Sequence, residues 1–276
     1  MQYALFVGEM LIDFIPHPSN GNGSLCYQPY PGGAVANAAV ALARLGGASR
    51  FVGKLGEDGF GRLLLNVLRE NQVDTRSVPT TTQGNTTLAL VTLQANGQRE
   101  FSFYRHRTAD TLLEASDLDE RAWDGVAILH AGSVSLTVEP ARAAILAALE
   151  QAHERGLPVS FDVNARPALW HSEAELRAVL GQVRARVNLL KCSAEEVHYL
   201  DPAHVTPLDP ADTSQLAALA QQLLTQGPSL VIITRGELGA LLITRQHTVE
   251  IAAATCQALD TTGAGDAFMG ALLYKL

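Results

Sequence analysis

Near the end of the chain, Asp260-Thr-Thr-Gly-Ala-Gly-Asp266 sets a glycine-rich turn directly before an apolar helical pattern, Ala267–Leu273. Backbone N–H groups at a helix start have no intrahelical partner, and the helix dipole favours negative charge there. Gly263, Ala264 and Gly265 can therefore form an anion hole for a phosphoryl group. Asp266, in the first turn, would stand beside that hole, where a carboxylate can serve as a general base. Taken alone, the same aspartate is equally well read as a first-turn helix stabiliser after a glycine loop.

A second segment, Pro31-Gly-Gly-Ala-Val-Ala-Asn37, leads into an Ala-rich helix, Val35–Leu45. Gly32 and Gly33 allow close backbone approach, and Asn37 can donate and accept at once, which suits adjacent hydroxyls. A glycine turn before a buried small-residue helix is the alternative. Asp13, after the first strand, can accept from two neighbouring hydroxyls, although strand ends also carry solvated aspartates. Asp162-Val-Asn-Ala-Arg166 follows another strand, at the carboxyl end where α/β sheets bind ligands, and Arg166 can clamp a phosphate. Thr234-Arg-Gly-Glu-Leu-Gly239 also follows a strand, and is either part of a nucleotide site or a simple turn. No GxxxxGK[ST] string occurs, so a Walker loop is excluded. The histidines lack HExxH or clustered spacing, so no protein-caged metal is expected, and His130 reads as a core or rim residue.

These residues need a scaffold. The chain has 276 residues, 47% hydrophobic and 17% charged, enough to bury a large core. Its formal charge is 20 − 28 = −8, which argues against nucleic acid or an anionic membrane as the main partner. It leaves room for a phosphorylated small molecule held by a few local donors. Cys26, Cys192 and Cys256 lie far apart without a CxxC pair, so neither disulfides nor zinc are indicated, and a reduced, cytoplasmic setting is expected. No uninterrupted apolar stretch approaches the ~20 residues that cross a bilayer.

Apolar runs alternate with helical patterns. Strands are expected at Tyr3–Val7, from Arg50, and at Val126–His130, Pro158–Asp162, Val187–Lys191 and Ser229–Thr234. Helices are expected at Gly61–Asn71, Glu139–Arg155, from Glu195, and at Gln215–Gln226. This rhythm predicts a mostly parallel sheet with helices on both faces. Asn85–His106 reads instead as two strands joined through Asn96-Gly97, a strong hairpin signal. With Phe14–Tyr30 it forms either a small β appendage or an edge hairpin plus a surface loop.

Together, PGGAVANAAVALARLGG and DTTGAGDAF at opposite ends, with FVGKLGEDGFG, FDVNARPALW, KCSAEEV and ITRGELG between them, resemble the PfkB (ribokinase-like) family of carbohydrate kinases. The resemblance covers essentially the whole chain. It implies one three-layer α/β sandwich over residues 1–276, with a β-sheet lid from about 14–32 and 86–108 and further residues after Leu276. It also implies ATP-dependent phosphorylation of a sugar hydroxyl with Mg²⁺. An exposed β lid is an edge that seeks a partner, so a homodimer through the lid is expected. By motif, Asp266 resembles the catalytic base and Gly263, Ala264 and Gly265 the anion hole. Asp13, Gly32, Gly33 and Asn37 resemble sugar-binding positions. Asn164, Arg166, Lys191, Thr234, Gly236 and Gly239 fall near the nucleotide and its phosphates. Glu196, in a variant of the family's NxxE motif with Ser193 in place of Asn, matches a Mg²⁺-organising position. Asp260 and Thr262 fall where some members bind a monovalent cation such as K⁺. FYRHRTADTLL and FDVNARPALW look most like bacterial fructokinases, with Arg105 a sugar contact. Aminoimidazole riboside (nucleoside) kinases and 2-keto-3-deoxygluconate kinases are the neighbouring alternatives, and a non-catalytic sugar sensor is the reading from another class.

Overall fold

The structure, a computed structural model, describes residues 2–17, 26–93, 99–201, 206–257 and 261–276. In chain order its first half runs β1 (Tyr3–Val7), β2 (Leu11–His17), β3 (Cys26–Gly32), α1 (Ala34–Arg44), β4 (Ser49–Val52), β5 (Leu55–Gly56), α2 (Gly59–Glu70), β6 (Thr80–Thr81), β7 (Leu88–Leu93) and β8 (Arg99–Tyr104). The second half runs β9 (Val126–Gly132), α3 (Ala141–Glu154), β10 (Val159–Asp162), α4 (Glu173–Arg184), β11 (Leu189–Ser193), α5 (Thr213–Leu224), β12 (Leu230–Thr234), β13 (Ala240–Ile243), β14 (Thr248–Ile251) and α6 (Ala264–Lys275).

An eight-stranded sheet, ordered β14-β13-β12-β11-β10-β9-β1-β4, forms the middle layer. It is parallel from β4 through β12, and β13 and β14 extend it antiparallel. Strands covered on both faces need apolar residues on both faces. In β1, Leu5 and Val7 enter the core shared with α3, α4 and α5, whereas Ala4 and Phe6 enter the core shared with α1 and α6. Successive side chains of a strand point to opposite faces, so four consecutive apolar residues feed two cores.

The helices α1 and α6 pack at close range. A Cβ at Gly270 would come within 2.5 Å of Ala41 Cβ and 2.7 Å of Ala38 O, so this seam requires glycine. Strand succession reverses direction between β1 and β9, since β4 lies on one side of β1 and β9 to β12 on the other. Ligands of open α/β sheets bind outside the strand carboxyl ends at such a switch.

A separate four-stranded sheet, ordered β3-β2-β7-β8, stands beside the main one. β7 and β8 pair antiparallel from Leu88↔Tyr104 to Leu93↔Arg99, as the hairpin reading requires; its Asn96-Gly97 turn lies outside the described residues. β2 pairs antiparallel with β3 and parallel with β7. Asp13 therefore lies inside a strand of this second sheet, not in a loop after β1.

Two local expectations are corrected. Glu195 opens no α-helix, because the Glu196 carboxylate accepts from Ser193 N and Ala165 N and holds the chain in a short 3₁₀ turn, Val197–Leu200. Conversely, α4 forms where no helix was expected. Its N-cap Ser172 accepts from Glu175 N, and the Ser-x-x-Glu spacing at 172–175 is the sequence signal for it. Among the described residues no helix is long and apolar enough to cross a membrane.

Candidate active site

Three loops at the carboxyl ends of β1, β9 and β10 converge with the N-termini of α1 and α6. α6 begins as the sequence predicts: Gly263 is its N-cap, at φ 75°, a left-handed conformation that glycine adopts without steric cost. Its first turn carries Asp266. α1 begins after Gly33, at φ 103°, where a Cβ would lie 2.6 Å from Glu9 O. One turn on, Asn37 Nδ2 donates to Asp266 Oδ2 at 2.9 Å, joining segments 229 residues apart.

Around that bond lies a cavity of about 330 Å³. Asp13, Gly33 and Asn37 line one wall, Asn164, Arg166 and Lys191 another, and Gly263, Gly265 and Asp266 the floor between them. A neighbouring cavity of about 410 Å³ is lined by Thr234, Gly236, Gly239, Ala264 and Phe268, and shares Gly265 with the first. The glycine turn at the start of α6 thus separates a polar compartment from a more apolar one.

The electrostatics set the protonation chemistry. Burial pushes the Asp266 carboxyl above its ordinary value, while the Asn37 hydrogen bond and the positive charges of Lys191 and Arg166 pull it down. Burial likewise pushes Asp13 up to about 6, against the pull of Arg166 and helped by the repulsion of Asp266. Lys191 reaches the site from β11 and donates to Asp162 Oδ2 at 2.9 Å, both side chains being buried. Burial opposes the Lys191 charge, but Asp162 and its hydrogen bond more than offset this and hold the ammonium above its usual range. A Cβ at Gly265 would come within 2.9 Å of Lys191 Nζ, so that ammonium sits directly over the turn. The site therefore presents helix N–H groups, a fixed ammonium and a guanidinium around one carboxylate. That set can hold an anionic group and accept a proton beside it.

Several expected residues stand elsewhere. Gly32 sits behind the wall, where a Cβ would fall 2.1 Å from Asp13 Oδ2; its role is to leave room for that carboxylate. Arg105, expected at the sugar, donates through Nε to Asp110 Oδ2 at 2.7 Å and through Nη1 to Thr137 Oγ1 at 2.6 Å. It is buried at the root of the second sheet and does not line the cavity. Glu196 is engaged with two backbone N–H groups behind the cavity. Thr262 lies on the cavity rim, and Asp260 lies outside the described residues.

Residues that the sequence reading missed are also present. Phe101 and Phe103 reach the cavity from β8, their rings 6.1 Å apart; their period-2 spacing in a strand is the signal that puts them on one face. Glu9 lies in the wall between Gly33 and Val134. Asp162 Oδ1 is buried without a hydrogen-bond partner. His130, by contrast, matches its reading as a core or rim residue: it is buried, its Nδ1 lies 3.0 Å from Ser160 Oγ, and burial pushes its pKa down to about 3.

Comparison with known proteins identifies the family. A family model described as "pfkB family carbohydrate kinase" matches residues 1–276. Fructokinase-1 of Zea mays is 41% identical over 273 residues, covering 98% of this chain and 81% of that protein. A fructokinase structure from Vibrio cholerae O395, with fructose, ADP and a calcium ion bound, superposes with a TM-score of 0.86 at 33% identity, covering 100% of this chain and 84% of that one. An aminoimidazole riboside kinase from Salmonella enterica, complexed with aminoimidazole riboside and an ATP analogue, gives 0.83 at 31% identity, covering 99% and 84%.

Proposed function

The chain belongs to the pfkB family of carbohydrate kinases, and from that premise we propose that it transfers the γ-phosphate of ATP to a hydroxyl of fructose. That it is an ATP-dependent sugar kinase follows from the family and from relatives such as the maize fructokinase. The observation that carries the residue roles is the α6 glycine turn standing between a polar and a more apolar cavity, with Asp266 on the polar side.

In this reading fructose occupies the polar cavity, its hydroxyls donating to Asp13 and exchanging hydrogen bonds with Asn37. Asp266 takes the proton of the attacking hydroxyl. The N–H groups of Gly263, Ala264 and Gly265, with Lys191 and Arg166, stabilise charge on the phosphoryl group in flight. Thr234, Gly236 and Gly239 border the nucleoside, and Asn164, at φ 33°, turns the chain so that Arg166 faces the phosphates. The second sheet acts as the lid, excluding water that would compete as acceptor.

Among the described residues no three His, Cys, Asp or Glu side chains converge as a metal cage. One buried carboxylate oxygen without a partner, Asp162 Oδ1, fits a divalent cation that takes its remaining ligands from phosphate oxygens and water. Asp162, with Glu196 nearby, would hold Mg²⁺ in that way. When bound, Mg²⁺ would neutralise charge on the nucleotide phosphates. A monovalent cation such as K⁺ would use Asp260 and Thr262. Homodimerisation through the second sheet is supported by its two outer strands, β3 and β8, which carry the exposed Tyr30 and Tyr104. A cytoplasmic location is supported by free Cys26 and Cys256, both exposed.

The test is an acceptor panel with Mg²⁺ and ATP: fructose, ribose, aminoimidazole riboside and 2-keto-3-deoxygluconate, read by ADP release. Fructose should give the highest kcat/KM. A higher value for the riboside would move the assignment to a nucleoside-type kinase, which the Salmonella structure keeps in view. ADP release with none of the four would refute the acceptor assignment.

A further inference from the structure

Glu9 follows β1, is only 1% exposed, and takes no part in the roles described above. Its two carboxylate oxygens have different partners. Oε1 accepts from Ala34 N at 3.1 Å, and Oε2 accepts from Ser135 Oγ at 2.8 Å. Ala34 opens α1, whose N-cap is Gly33 with no capping side chain, and whose first turn holds no acidic residue. A helix start without a side-chain cap leaves N–H groups needing partners and a dipole needing negative charge. Glu9 supplies a partner for the first of those N–H groups from another element of the fold.

The other end of this bridge is equally specific. Ser135 is buried in the short 3₁₀ turn Val134–Leu136 after β9. Two residues on, Thr137 accepts from Arg105 at the root of β8. The Glu9 carboxylate thus joins the helix that carries Asn37 to the turn on which the second sheet is anchored. Burial pushes its carboxyl up, whereas hydrogen bonds from the backbone and Ser135, and the positive charge of Arg105, favour the ionised form.

We propose that Glu9 is a positioning residue for the acceptor site: from within the cavity wall it fixes the N-terminus of α1, and so the place of Gly33 and Asn37. The inference deepens the acceptor-site reading and rests on it. It is tested with Glu9→Ala and Glu9→Gln. Glutamine keeps an oxygen for Ala34 N, and its amide can donate to the Ser135 hydroxyl; alanine keeps neither bond.

Amide hydrogen exchange without ligand reads the helix start directly, whatever the acceptor proves to be. In Glu9→Ala the peptide spanning Gly33–Val40 should exchange at least about tenfold faster, as expected for loss of a buried hydrogen bond, with Glu9→Gln close to wild type. In the coupled assay, using whichever panel sugar the wild type prefers, Glu9→Ala should raise the acceptor KM about tenfold and leave the ATP KM within about twofold. Glu9→Gln should recover most of that loss. Unchanged exchange in folded Glu9→Ala overturns the proposal, as does an equal rise in both KM values. If Glu9→Ala does not fold, Glu9→Gln decides alone: a tenfold acceptor KM defect with the acceptor oxygen retained would mean a direct charge effect on substrate, and would also overturn it. A wild type inactive on all four sugars would refute the acceptor assignment and leave the exchange result to judge Glu9.

Discussion

Asn37 Nδ2 lies 2.9 Å from Asp266 Oδ2, so the two helix starts that frame the polar cavity are joined by one hydrogen bond. The bond favours the ionised carboxylate and fixes which of its oxygens remains open to a substrate. Asp266→Asn should therefore fold and bind sugar but lose about 10²–10⁴ in kcat, the range for removing a general base. Thermal melting, calorimetric sugar binding and the coupled assay check the three parts. Asn37→Ala removes a contact that lowers the Asp266 pKa, so the acid limb of kcat should move to higher pH.

The glycine turn gives a contrast between neighbours. At Gly265 an added Cβ meets Lys191 Nζ at 2.9 Å, whereas at Gly263 the nearest described atom is Asp266 Oδ2 at 3.9 Å. Gly265→Ala should push the ammonium off the turn and lower kcat/KM for ATP at least about tenfold. Gly263→Ala has space but must adopt φ 75°, and should cost about 1–2 kcal/mol of stability. Urea denaturation beside steady-state kinetics separates the two.

Asp13 gives a pH signature. Its carboxyl is pushed from 3.8 to about 6, chiefly by burial. In the free enzyme the ionised form, which accepts two hydroxyl donors, gives way to the protonated form as pH falls through about 6. The kcat/KM for the acceptor should fall over that interval, and Asp13→Asn should flatten the limb. The stability effect has the opposite sign. The folded chain holds this proton more tightly than the unfolded one, so Asp13 contributes less stability as pH rises from about 4 through 6.

Lys191 and Asp162 form a buried pair at 2.9 Å. Burial already pushes the Asp162 carboxyl up to about 7, so in Lys191→Met it should take up a proton near neutral pH. The cost, about 1–3 kcal/mol at about pH 7, should grow as pH rises, read by chemical denaturation across pH. Adding Asp162→Asn should recover part of that stability while turnover stays low. A single variant as stable as wild type would show that the pair is solvated.

The central sheet was legible chiefly from the continuous apolar runs of β1, β9 and β12, whereas β4 (Ser-Arg-Phe-Val) and β10 (Val-Ser-Phe-Asp) carry polar residues among apolar ones. The hairpin was legible from Asn96-Gly97 and its β-rich flanks. β13 and β14 were less so: Thr248–Ile251 is exposed at every position and offers no buried face to recognise. Of the residues that line the polar cavity, Asn37, Arg166 and Asp266 could be named because each follows a glycine turn or a strand end, whereas Asp13 lies within β2. Arg105 could not be placed, because its partners Asp110 and Thr137 meet it only in three dimensions and compete for its guanidinium. Glu9 escaped for a similar reason: a glutamate in an apolar stretch looks like an interruption until Ala34 and Ser135 are brought to it.

The seam between α1 and α6, where Gly270 lies against Ala41, bears on how acceptor preference can change. The two helices are in close contact there, and the Asn37–Asp266 hydrogen bond spans their N-termini, so a larger side chain on either helix would disturb both site residues at once. Phe101 and Phe103 line the same cavity from β8, outside that helix seam, and can change size without touching it. A search for altered selectivity is better spent on those two aromatic positions than on either helix.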